Sequence, residues 1–600
     1  MFFASLVRRW NTIRYYRGKQ IARRLLRNFR ESLAVFVRDR DVGQGRPQIR
    51  GPLLSVGCPV SKISNLEPEE GSWRLSVPGK RLAISWPLDW VQLEAGIANR
   101  LGCFFLHYHE YFINALRQFL RLDFTRHVLE SIHVWINNYP APSHLPPSDA
   151  WHPYVISRRL PTWVWIWCQH QRREDLPPGF LASLAQQVRW LRWNLEFDLG
   201  GNHLLQNLRA LAVAGAFFSG PEADGWLRLV RKLLPRELKE QILPHGEHFE
   251  RAPAYHVDML LALADIRDAF RAVNPSWSRD LEPVIDKMAD FLGVILHPDG
   301  QIPLFGDSTL DLAPAPCEVF TRLEKTHPNV RQDSAAAQVV GQYWIYREGK
   351  NFLIFDAGPV GPDHLPAHAH ADLLTIEASW RGERLIVDGG VSDYEDSPER
   401  AYCRGTAAHN TLEIDGQNQC DVWSRFRMGR RGWPGKLHCG QYGPFQWAAC
   451  THNAYRFLKV PVVGRFIACS ARLGWIIADW AVGSRQHKLV SRLRVGPGWQ
   501  VTKEHSQAVG ITSSGEKLIL EAVGDPGNVQ VRPAPYFPLF GVRKEAMEVS
   551  QERTGDLPTV IAWHLRPAGQ EAAKLSWERG RLRIFAGTQE FVFDLHDLWT

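Results

Sequence analysis

The sequence predicts an all-α domain followed in series by an antiparallel β-sandwich, and three observations carry that prediction. From about residue 91 to 325, apolar residues recur at three- and four-residue spacing, the pattern of amphipathic helices. From about 335 to 600 the texture changes to short alternating runs bounded by turn residues, as half-buried strands require. At 600 residues the chain is too long for one ordinary core, so at least two domains are expected. Helices first and strands second mean two separately packed layers.

Residues 1–90 read as a basic helix and an irregular lead-in. Arg8, Arg9, Arg14, Arg17, Lys19, Arg23, Arg24, Arg27 and Arg30 crowd the start, with no acid before Glu31. Such a run suits nucleic acid or anionic lipid; the plainer reading is a solvated amphipathic helix packed on the body. The rest of the chain mixes both signs, so nucleic acid is not expected as a partner. Gln44-Gly-Arg-Pro47, Gly51-Pro52 and Gly57-Cys-Pro59 then punctuate the lead-in.

The helical segments expected are Phe112–Leu122, Leu181–Leu195, Leu204–Phe218, Gly225–Leu234, Val257–Val273 and Leu281–Leu296. The strands expected are Gln342–Arg347, Asn351–Asp356, Leu373–Trp380, Arg384–Val387, Thr411–Ile414, Lys488–Val495, Leu518–Ala522, Val560–His564 and Arg583–Phe585. No short-period repeat is visible, although paired helices build a toroid without one.

Composition narrows the class. Hydrophobic residues at 45% and charged residues at 22% describe a soluble globular protein. Lys+Arg 71 against Asp+Glu 63 leaves a mild excess of +8, which suits an acidic polysaccharide. Nine cysteines are scattered with no CxxC pair, against a disulfide framework or a cysteine-built metal site. No apolar run approaches the about 20 residues of a membrane span. Arginines interrupt the apolar Met1–Val7 where a signal sequence would continue, so the expected address is cytoplasmic. The 24 tryptophans, among them Trp151, Trp163, Trp165, Trp167, Trp190 and Trp193, offer faces for sugar rings or simply core.

Three stretches carry chemistry. In Leu199–Phe218, Gly200 and Gly201 free the backbone and Asn202 is a good N-cap residue. Asn202, His203 and Gln206 would then surround a helix N-terminus, which favours an anion; a capping Asn beside a packed His is the simpler alternative. In Gly246–Asp258, Pro253 suits a first helical position, placing Tyr255 and His256 in the first turn behind Glu250 and Arg251. A tyrosine there transfers protons if its pKa falls from about 10, and otherwise packs. In the third stretch, His368, His370 and Asp372 alternate on one face of an expected strand, Asp388 ends the next, and His409 follows. His370, Asp388 and His409 make a nitrogen/oxygen donor set suited to zinc, although such triples also arise by chance among 23 histidines.

Together these pieces resemble the heparinase II/III-like polysaccharide lyases, which include related alginate lyases. The resemblance runs in order through Leu106-His-Tyr-His-Glu-Tyr111, Trp151–Trp163, Gly201-Asn-His203 and Glu250-Arg-Ala-Pro-Ala-Tyr-His256. It continues through Phe305-Gly-Asp-Ser308, His368-Ala-His-Ala-Asp372, Val387-Asp-Gly-Gly390, Arg404–Thr411 and Gln419–Arg431, and beyond about 435 only the β texture agrees. The resemblance implies an N-terminal (α/α) toroid, a C-terminal sandwich, and β-elimination across a uronic-acid glycosidic bond between them.

Asn202 and His203 would neutralise the uronate carboxylate, because the carbanion-like transition state is otherwise too costly. Tyr255 and His368 would be the acid–base pair, either of them taking the proton according to substrate epimer. Gln206, Glu250 and Arg404 are the substrate contacts this implies. His370, Asp388 and His409 map onto the family's metal ligands, for a structural zinc that braces the sandwich wall and orients His368. Family members are usually exported, which sets the periplasm or cell envelope against the cytoplasmic reading. The chain departs from the pattern at His245, where an acid is expected, and at Ala252, where Ser is usual. Two further readings stay open: an idle acidic-glycan binding or scaffold protein of exopolysaccharide assembly, and a zinc-dependent hydrolase. The oligomeric state is not legible.

Overall fold

The computed structural model describes residues 2–27, 29–32, 48–51, 62–69, 72–119, 122–170, 176–325, 336–513, 515–578 and 580–599. The turns expected at Gln44–Pro47, Pro52 and Gly57–Pro59 lie outside the described residues.

Two helices, Phe2–Ile13 and Gly18–Leu25, form an N-terminal arm. The lead-in differs from expectation, because Asn65–Glu69, Ser72–Val77 and Lys80–Ile84 pair as a three-stranded antiparallel sheet. Its alternation is brief and broken by Pro68, Gly71 and Gly79, which made it read as irregular, yet Leu66, Leu75 and Val77 reach the helical core.

The helical domain is built around Gly201–Phe217. Pro153–Gln169, Pro221–Gln241 and Pro253–Val273 all pack on that helix. Every residue of it except His203 is buried, so its apolar character runs all round instead of along a stripe. Each of the three surrounding helices begins with proline, whose missing N–H is no loss at that position. Most of the named tryptophans are core: Trp151, Trp163, Trp165, Trp167 and Trp190 are buried. His107 and His109 are also structural, accepting the indole N–H groups of Trp135 at 3.1 Å and Trp163 at 2.9 Å.

The last helix of this domain ends at Arg322, and strands begin at Ala336. Two large antiparallel sheets follow. The first carries, side by side, Asn528–Leu539, Val542–Asp556, Gln486–Val495, Glu383–Ile386, Ile376–Trp380, Asn351–Asp356, Tyr343–Glu348 and Ala336–Val340. The second has eight strands, centred on Val462–Ser470, Gly474–Val482 and Thr559–Pro567. Trp344, Phe355, Ile376 and Trp380 meet Ile467, Trp475, Ile477 and Trp563 in the core between them.

The first sheet is buried on both faces. In Tyr343–Glu348, Trp344 and Tyr346 enter the sandwich core while Tyr343 and Ile345 join the helical core. This two-sided burial joins the two domains and brings the sheet's loops to the helix mouths. One such loop corrects an expectation. His368, His370 and Asp372 lie in a turn-rich loop, since the expected Leu373–Trp380 strand begins only at Ile376. Leu374 takes a left-handed φ of 63°, which no strand residue adopts.

Candidate active site

The helical wall starts at the glycine pair. Gly200 and Gly201 have φ of 68° and 53°, and a Cβ on Gly201 would lie 2.6 Å from Glu250 Oε1. Only glycine fits there. Gly200, not Asn202, is the N-cap, and Asn202 falls in the first turn. Its backbone N–H donates to Glu250 Oε1 at 3.0 Å. The anion expected at this helix terminus is thus the chain's own carboxylate, delivered by the loop ahead of Pro253. Burial raises the Glu250 carboxyl against the pull of His368 and that N–H.

Asn202 and His203 point to different partners. The Asn202 amide Nδ2 lies 3.2 Å from His368 Nε2. Nδ1 of His203 lies 2.9 Å from Glu196, and the imidazole, 31% exposed, packs on Tyr154. Burial opposes charge on His203, but Glu196 overcomes it and raises the imidazole above its ordinary 6.5. Glu196 in turn falls to about 2 despite its burial, because His203 faces it.

Tyr255 sits in the first turn of Pro253–Val273, half-buried. Its ring stacks on His368 with centroids 3.8 Å apart and planes 26° apart. Its hydroxyl lies 3.1 Å from the Tyr394 hydroxyl. Burial, followed by Tyr394, pushes the Tyr255 phenol well above 10.0, so it holds its proton. Tyr255 and His368 therefore meet ring to ring, from opposite domains.

Asp307 organises the sandwich side. One carboxylate oxygen lies 2.9 Å from His368 Nδ1 and the other 2.8 Å from His370 Nε2. Arg400 donates to both oxygens. Burial would raise this carboxyl, but Arg400 and the two histidines hold it well below its ordinary range. It stays ionised and fixes both imidazoles. Arg404 is buried and donates to the carbonyls of Ala369, Pro366, Ser424 and Arg427, pinning the histidine loop.

Behind His370 lies a second cluster. Donor atoms of His370, Asp372 and His409 lie within 4.8 Å of one another. His370 Nδ1 and His409 Nε2 are buried without a hydrogen-bond partner among the described residues. Burial lifts the Asp372 carboxyl to about 7, His409 opposing, and lowers His370 to about 4. Two orphaned ring nitrogens beside a buried carboxylate fit a cation such as zinc. Asp388, expected as a donor, instead has its oxygens 2.9 and 3.0 Å from Nδ1 of His409, where it fixes the ring. Asp372 is the carboxylate grouped with the two rings.

The three expected substrate contacts all make internal bonds. Gln206 is buried, its amide spent on Asp258 at 2.9 Å and Arg209 at 3.1 Å. Glu250 and Arg404 are likewise buried, Glu250 holding the Asn202 N–H and Arg404 the carbonyls of the histidine loop. Sequence reasoning quoted Asp307 within its motif without giving it a task, and missed Glu196, Tyr394 and Arg400 altogether. No periodicity marks them; only the fold brings Glu196 to His203 and the others to the Tyr255–His368 pair.

The fold and site define a class: a helical domain and a sandwich whose junction carries a phenol–imidazole pair. Comparison with known proteins agrees. The family described as "Heparinase II/III N-terminus" matches residues 106–332, and "Heparinase II/III-like, C-terminal" matches 329–578. The chain belongs to the heparinase II/III-like family. It is 24% identical over 367 residues to a heparin-sulfate lyase of Bacteroides thetaiotaomicron, covering 52% of this chain and 51% of that protein. It is 26% identical over 237 residues to the FtsZ-localized protein C of Caulobacter vibrioides, covering 39% of each. The chain thus spans about half the length, or less, of these relatives. A crystal structure of heparinase III superposes with a TM-score of 0.67 at 17% identity, covering 82% of both chains.

Proposed function

We propose that this protein cleaves an acidic, uronate-containing polysaccharide by β-elimination, with His368 as base and Tyr255 as acid. The observation that carries the reading is the 3.8 Å stack of Tyr255 on His368 at the domain junction. Asp307, ionised, engages Nδ1 of His368, and Nε2, met by the Asn202 amide at 3.2 Å, accepts the proton once the substrate carboxylate draws that amide away. Tyr255, held neutral, has one to give. The C5–H bond breaks and its electron pair passes into the neighbouring carboxylate, to return as the C4–C5 double bond when the leaving group departs. The C4–O bond then breaks with its pair on the leaving oxygen, which takes the Tyr255 proton. No water is consumed, and solvent returns the proton from His368 to Tyr255.

Removing that C5 proton requires the neighbouring carboxylate to be neutralised. The cationic His203 and the Asn202 amide supply this through their side chains, since Glu250 already holds the helix N–H. The relatives named heparin-sulfate lyases, together with the basic net charge, make an uronate polymer the substrate class proposed. His370, Asp372 and His409, with Asp388 fixing His409, would hold a zinc ion, whose charge would offset the buried carboxylates and stiffen the loop carrying His368. His370 and His409 are almost inaccessible, which suits a brace and not the activation of water.

The test is product analysis. Heparan sulfate, hyaluronan, alginate and acidic exopolysaccharides are incubated with the protein, and the new ends are identified by mass spectrometry. Unsaturated uronate ends that vanish in Tyr255→Phe and His368→Ala are the expected result. Water-added ends point to hydrolysis, and intact polymers throughout point to a binding or scaffold role; either sinks the proposal.

A further inference from the structure

We propose that the N-terminal arm docks the protein on an anionic lipid surface. One face of each arm helix is spent on the body. Arg8 pairs with Asp421, the buried Thr12 receives the Trp423 indole N–H at 3.1 Å, and Arg431 lies 4.0 Å over the Tyr15 ring. Further along, Arg17 pairs with Glu240, Arg23 covers the Phe197 ring, and Arg30 reaches Asp198. These contacts, to both domains, define the inner face of the arm.

The outer face is apolar. Leu6, Trp10 and Ile13, spaced i, i+4, i+7, are 47%, 67% and 48% exposed. Leu25 and Phe29, again four apart, are 79% and 67% exposed. A helix packed on its body through its polar side, with its hydrophobic side outward, is the reverse of an ordinary surface helix. Scattered exposed leucines need no explanation, but an aligned stripe on the first helix, continued by exposed Leu25, Leu26 and Phe29, marks a binding face.

Charge identifies the occupant. Arg9, Lys19 and Arg24 are exposed with no carboxylate partner among the described residues, and no acid precedes Glu31. A face that joins aligned Trp, Leu and Phe to unpaired cations matches the headgroup boundary of an anionic bilayer. Nucleic acid would leave the apolar stripe unsatisfied, and an apolar protein groove would leave the cations so. No described helix is long and apolar enough to cross a membrane.

The experiment is flotation of the full chain with phosphatidylglycerol–phosphatidylcholine vesicles and with pure phosphatidylcholine vesicles. Binding is expected to the anionic vesicles, weakening as salt rises. The triple variant Trp10→Ser, Leu25→Ser, Phe29→Ser should bind at least about 10-fold more weakly, and so should Arg9→Ser, Lys19→Ser, Arg24→Ser. Because all six side chains are exposed, an unchanged thermal melt in both variants shows that the fold is intact. The proposal is overturned if anionic vesicles do not retain the parent, or if the apolar variant floats like it. Light scattering that shows a dimer dissolved by the same variant also overturns it, by giving the stripe to a second copy.

Discussion

The two walls of the cleft hold their functional groups by different means. On the helical wall, Asn202, His203 and Tyr255 stand in the first turns of two long helices, where backbone hydrogen bonds already define position. On the sandwich wall, His368 stands in a loop with no ladder to hold it, and a buried ionic frame takes over. Asp307, Arg400 and Arg404 tie that loop to neighbouring segments through charge-assisted hydrogen bonds. A loop can be held as firmly as a helix, but only by burying charges that fail together when one is removed.

That contrast is broken most severely at Asp307. Asp307→Ala leaves Arg400 buried without its carboxylate and frees both imidazoles. A loss of about 3–5 kcal/mol of stability is expected, together with the activity, as read by denaturant titration and turnover. If Asp307→Ala melts like the parent, the ionic frame is not what holds the loop.

Next come the reacting groups themselves. His368→Ala and Tyr255→Phe should each lower turnover by about 10²–10⁴-fold with little change in the melt. A frame residue loses both properties and a reacting residue loses one, so the pair of measurements sorts the two kinds.

The donor cluster sharpens the comparison further. Chelation and Asp372→Asn should each lower bound zinc, counted by elemental analysis, and soften the sandwich wall while helical circular dichroism persists. Asp388→Asn should weaken zinc retention by about 10–100-fold, the usual cost of disturbing a residue behind a ligand. If Asp388→Asn abolishes zinc and Asp372→Asn spares it, the two carboxylates have exchanged roles.

The smallest effect expected is the pH response of the helical wall. His203 is raised above 6.5, so its stabilising contribution is complete below 6.5 and lost as pH rises through its folded value. Glu196 is lowered from 4.5 to about 2, so its share is present above 4.5 and lost as pH falls toward that value. Thermal melts should therefore fall off at both ends, and His203→Gln should flatten the alkaline limb. Activity should decline on that same limb as His203 loses its charge.

Much of this was legible residue by residue. The glycine pair, Pro253, and the Tyr255 and His368 motifs announced themselves, because helix starts and clustered histidines have local signatures. Asp307, Tyr394, Arg400 and Glu196 had none. The first three lie 61, 26 and 32 positions from His368, while Glu196 pairs with His203, and nothing in their own neighbourhoods predicts these contacts. The strand expected at Leu373 failed for a related reason: alternation cannot reveal the left-handed turn at Leu374.

The arm tells the same story. Its basic run was plain from composition, but its orientation was not. Whether the apolar stripe faces the body or the solvent depends on Asp421, Trp423 and Glu240, each more than two hundred residues away.

The sequence by itself determined the order of the two domains and offered Tyr255, His368, His370 and His409 as residues able to carry chemistry. Periodicity and residue type are local properties, and these features rest on nothing more. Tertiary structure alone decided that Glu250 fills the helix terminus, that Asp388 stands behind His409, and that one aspartate serves both His368 and His370. Those outcomes turn on which buried charge lies within hydrogen-bonding distance of which other, and only the packed chain settles that.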